Sequence, residues 1–140
     1  MTDTAVIVFS RAGNTRKVAD AIAAEPGVPV QDTNAPLPES ARLVFPGSGG
    51  YGGKPGEPLM QFIGSGNFSG RKAALSGTSG GAEGAQHMIA GMGDALLAMG
   101  ATVIGGFTCR GKFLFTNRGH PGAQDLADAK TFAREMAGSA

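Results

Sequence analysis

"AVIVFSRAGNTRKVADAIA", residues 5–23, decides the fold class. Its first five residues are continuously apolar and largely β-branched, the pattern of a strand covered on both faces. At Ser10 the pattern breaks into small polar residues and Gly13. The period then changes: Val18, Ala21 and Ile22 share one helical face, with Arg16, Lys17 and Asp20 off it. A buried strand that turns directly into a helix puts the helix's unpartnered N–H groups at the strand's carboxyl end. A phosphate satisfies such groups, and so does a plain N-cap from Ser or Asn. This stretch alone leaves both open.

The alternation continues along the chain. Pro26 and Gly27 end the first helix. "VPVQD", 28–32, reads as a second strand and 33–40 as irregular chain. "RLVFPG", 42–47, reads as a third strand, followed by a glycine loop and a short helix over 57–63. "KAALSG", 72–77, is a fourth strand and again ends in a glycine loop. Over 84–99, Met88, Met92, Ala95, Leu96 and Met99 lie along one helical stripe. "ATVIGGF", 101–107, is a fifth strand, and Leu126, Ala129, Phe132, Ala133 and Met136 mark a last helix that starts near Pro121. Strands alternating with helices predict one α/β domain over 1–140, a doubly wound parallel sheet of five strands with helices on both faces. Ligands of such sheets bind beyond the carboxyl ends of the strands, at the switch point. The glycine loops follow strands one, three and four, so all three open on one rim.

Composition narrows the function. Glycine is the outlier, 24 of 140 residues, against a usual share of about 7%. Twelve Lys and Arg against 11 Asp and Glu give a formal charge of +1, without the basic stripe of a nucleic-acid binder. No apolar run approaches the ~20 residues that span a bilayer, and the first residues lack the basic region of a signal peptide. The expectation is a cytoplasmic protein with no membrane or nucleic-acid partner. The lone Cys109 excludes an internal disulfide, and two scattered His give no zinc spacing. Cys109 reads as a small apolar residue, and His87 as exposed on the long helix.

The loop "SRAGNT", 10–15, lacks the Lys-Ser/Thr ending of a P-loop and is not G-x-G-x-x-G. The longer stretch "VIVFSRAGNTRKVADAIA" resembles the opening strand, phosphate loop and first helix of flavodoxins, whose loop reads T/S-x-T-G-x-T. Ser10, Gly13, Asn14 and Thr15 match that loop, Ala12 replaces its middle Thr, and Arg11 takes a variable place. "GSGGYGGKP", 47–55, resembles the second flavin loop, with Tyr51 and Gly52 in the places of its aromatic residue and glycine. "SGTSGG", 76–81, falls where the third flavin loop belongs. The resemblance spans essentially the whole chain, in order, without the insertion in strand five that marks long-chain flavodoxins.

The resemblance implies the strand order 2-1-3-4-5 and flavin mononucleotide (FMN) as cofactor. The phosphate is then expected on Ser10, Arg11, Ala12, Gly13, Asn14 and Thr15. The ring is expected between Ser48, Gly49, Gly50, Tyr51, Gly52 and Gly53 on one side and Gly77, Thr78, Ser79, Gly80 and Gly81 on the other. Tyr51 is the only Tyr or Trp in the chain, so the second ring face is open or covered by a Phe such as Phe113 or Phe115. The carbonyl of Gly52, with Gly53 free to follow it, is expected to accept a hydrogen bond from flavin N5 on reduction. The implied function is electron transfer between larger redox proteins, by a monomer or weak dimer without a substrate of its own. The alternative is a small FMN-dependent NAD(P)H:acceptor oxidoreductase of quinone type, which the near-neutral charge favours because flavodoxins are usually acidic. A flavin-free phosphorylation receiver is disfavoured, since strand one lacks a terminal acidic pair.

Overall fold

The computed structural model describes residues 3–11, 13–51, 53–110 and 121–139, without the side chains of Tyr51, Ala82 and Arg110. β1 (Thr4–Phe9) leads through Gly13 into α1 (Asn14–Ala24), followed by β2 (Val30–Gln31), β3 (Leu43–Tyr51) and β4 (Lys54–Pro55). Then come α2 (Glu57–Ser65), β5 (Lys72–Ser79), α3 (Ala82–Ala98), β6 (Thr102–Arg110) and α4 (Ala123–Ser139). Five strands pair in parallel in the order β2-β1-β3-β5-β6. That is the expected 2-1-3-4-5, because β4 was not anticipated and stands outside the path, antiparallel to β3. One register row, Phe9, Ser48, Gly77 and Thr108, crosses four strands near their carboxyl ends.

The side chains divide between two faces as period-two strands require. Val6, Val8, Phe45 and Ala74 pack under α1 and α4 with Val18, Ile22, Ala129 and Ala133. Ile7, Val44, Ala73 and Leu75 pack under α2 and α3 with Leu59, Ile63, Met88, Met92 and Leu96. The Met stripe of the long helix is therefore core.

Several boundaries differ from the sequence reading. β3 runs on through "SGGY" to Tyr51, and β5 through "TS" to Ser79. Ser48–Tyr51 and Thr78–Ser79, read as loops, are strand. Glycine and serine weaken a strand intrinsically, but β3 and β5 are flanked by partners on both sides, and the shared ladder overrides that weakness. β2 keeps only two residues of 28–32. The long helix spans 82–98, and the last helix begins at Ala123, so Pro121 precedes it. Phe113, Phe115 and His120 lie outside the described residues.

Candidate functional site

α1 begins at the carboxyl end of β1, beside the switch between β1 and β3. Its N-cap is Gly13 at φ 85°, a residue with no side chain to cap the helix. Only glycine takes this left-handed conformation without cost. The Gly13 N–H donates to Ser10 Oγ at 3.1 Å, so Ser10 folds back over the turn. Arg11 is exposed at the loop tip. Arg16 pairs with Asp20 at 3.0 Å along the helix surface.

Thr15 starts the buried face of α1. It is 1% exposed, and its Oγ1 lies 2.8 Å from Thr78 Oγ1 on β5. Its hydroxyl therefore has a protein partner inside the fold. Ser48 is likewise fully buried. It donates to the Gly49 carbonyl at 2.8 Å and accepts the Gly56 N–H at 2.8 Å, which fixes the β3–β4 hairpin to the start of α2. Both hydroxyls shape the rim from inside.

The remaining expected residues line that rim. Tyr51 ends β3 opposite Lys54, and Gly53 turns the hairpin at φ 78°. Ser79 ends β5, and its Oγ accepts a long 3.5 Å bond from Gly81 N–H ahead of α3. Gly80 is exposed beside it. Ala12 and Gly52 lie outside the described residues. The rim therefore brings together a glycine-initiated helix start, a glycine hairpin and a glycine turn at three neighbouring strand ends. Backbone donors at such a helix start suit an anionic group.

The 10–15 loop has a second side that its own motif does not signal. A cleft of about 490 Å³ adjoins Ser10, Arg11 and Gly13 and is closed by Arg16, Asp32, Asn34 and Pro58. Residues 32–34 follow β2 on the same rim, and that topology was the available signal. Asp32 accepts the Asn34 N–H at 2.8 Å, which fixes this wall.

Cys109 lies near the end of β6, paired in register with Thr78. Burial first, and Asp125 second, push its thiol from 9.0 up to about 12. The thiol stays protonated at neutral pH and is a poor nucleophile. Alkylation by iodoacetamide at pH 8 is expected to be at least ~100-fold slower in the folded protein than in urea, from the lower thiolate fraction. Equal rates would place the thiol in open solvent.

No protein-family model matches the chain. An uncharacterized protein of Methanocaldococcus jannaschii is 27% identical over 134 residues, covering 88% of this chain and 89% of that one. A solved flavodoxin from the domain Archaea superposes with a TM-score of 0.78 at 20% identity, over 97% of this chain and 96% of that one. The flavodoxin of Fusobacterium nucleatum, solved with flavin mononucleotide bound, gives 0.72 at 11% identity over 97% of each chain. The chain is a flavodoxin-like α/β protein: strand order, helix placement and length all follow that fold. Among the described residues no helix is long and apolar enough to cross a membrane.

Proposed function

We propose that this protein binds FMN at the rim of β1, β3 and β5 and carries electrons between larger redox proteins. The observation that carries the reading is the glycine-initiated N-terminus of α1 at the switch point. Helix N–H groups and the positive end of the helix dipole favour a phosphate there, with Ser10 and Asn14 beside it. The β3–β4 hairpin and the 79–81 turn supply the walls for a flat ring. When bound, FMN supplies the redox chemistry, and the chain tunes it through hydrogen bonds and stacking. Gly53 at φ 78° permits backbone movement at the hairpin, where the resemblance puts the Gly52 carbonyl against flavin N5.

Charge keeps the second reading, hydride transfer from NAD(P)H to a small acceptor. At +1 the chain lacks the acidic surface that steers a carrier to basic partners. The test is the visible spectrum of the purified protein, then its anaerobic reduction. A carrier is expected to be yellow, to be reduced slowly by NADH or NADPH alone, and to be reduced rapidly once a reductase is added. Rapid reduction by free nicotinamide would move the hydride reading ahead. A colourless protein that takes up no added FMN would sink both.

A further inference from the structure

Thr15 and Thr78 are 63 residues apart, yet their hydroxyls meet at 2.8 Å, and they are 1% and 4% exposed. In the sheet, β3 lies between β1 and β5. The first turn of α1 must therefore cross β3 to reach Thr78, and it crosses at Gly47. A Cβ built on Gly47 would stand 3.6 Å from Thr15 Cγ2 and only 2.6 Å from Ser76 Oγ. The first is ordinary contact and the second a clash, so Thr15 packs directly over Gly47 while Ser76 fills the space a side chain there would need. Three residues from three different loop motifs thus form one buried contact.

We infer that the Thr15–Thr78 pair is a positioning device, which ties the phosphate loop to the strand end carrying the 79–81 turn so that order in one is transmitted to the other. This rests on the FMN reading above for what the two loops hold. Thr15 is β-branched and stiff at χ1, and its hydroxyl is enclosed, so a shift of the first turn of α1 has to move Thr78 or break the bond. Losing one partner leaves a buried hydroxyl unsatisfied. Coupling between two sites is reciprocal: ordering the loop around an anion also steadies the turn after β5, and the reverse.

Amide hydrogen exchange on the flavin-free protein tests the tie without any ligand. Thr15→Val keeps the shape and removes the hydroxyl. It is expected to speed exchange several-fold both at 17–19, the first hydrogen-bonded amides of α1, and at 77–79 at the end of β5, and Thr15→Ser to restore both. Faster exchange confined to 17–19, or spread evenly over the chain, would overturn the proposal. In the loaded protein, Thr78→Val is expected to lower the preference for FMN over riboflavin about fivefold, with Thr78→Ser close to wild type. A variant that weakens both flavins equally would mean a purely structural role and would also overturn it. If the wild type binds no flavin, the FMN reading fails, while the exchange experiment still decides whether the two loops are tied.

Discussion

FMN is expected to bind this protein at least ~100-fold more tightly than riboflavin, which differs only in lacking the phosphate. The α1 N-terminus presents backbone donors beside a glycine N-cap, with the positive helix end behind them. Hydrogen bonds to a charged acceptor contribute about 1.5–3 kcal/mol each. Two of them, net of the phosphate's lost hydration, correspond to a factor of roughly 100 or more. Titration of the flavin-free protein by quenching of flavin fluorescence gives both affinities. Inorganic phosphate should compete with FMN. Equal affinities for the two flavins would remove the phosphate from this loop, and the assignment of residues 10–15 with it.

Phe45→Ala is expected to cost about 3–5 kcal/mol of stability, a large part of the 5–15 kcal/mol typical of a domain. Phe45 is 1% exposed, the third residue of β3. Its ring meets Phe132 of α4 edge-on at 6.1 Å and 75°, and Phe132 in turn lies 5.7 Å from Phe107 of β6. The side chain therefore holds α4 onto the sheet, and truncation opens a cavity that rigid neighbours cannot fill. Leu97→Ala is the control: Leu97 is 58% exposed, and its loss should change stability by no more than about 0.5 kcal/mol. Urea denaturation of the three proteins measures both effects. A loss below ~1 kcal/mol for Phe45→Ala would mean that α4 is not anchored there.

Sequence alone determined the layer architecture and the place of the rim. "AVIVF" is apolar throughout and "KAALSG" over Ala73–Leu75, as two covered faces require, and the stripes Val18–Ile22 and Met88–Leu96 commit their helices to the sheet. Those signals are local: hydrophobic period is written within ten or so residues, and the fold follows from it. The glycine clusters likewise marked three strand ends that lie on one edge. Tertiary structure decided what pairing across the chain decides. Ser48–Tyr51 and Thr78–Ser79 became strand because they pair with β1, β4, β5 and β6 from elsewhere in the chain, which no local propensity registers. Ser48 and Thr15 looked alike in sequence to Ser10, small hydroxyls at a glycine loop. The structure turned Ser48 to the Gly56 N–H and Thr15 to Thr78, while Ser10 stayed on the loop with Gly13. A hydroxyl's partner is set by which residue lies within 3 Å of it, and for Thr15 that residue is 63 positions away, beyond the reach of any motif.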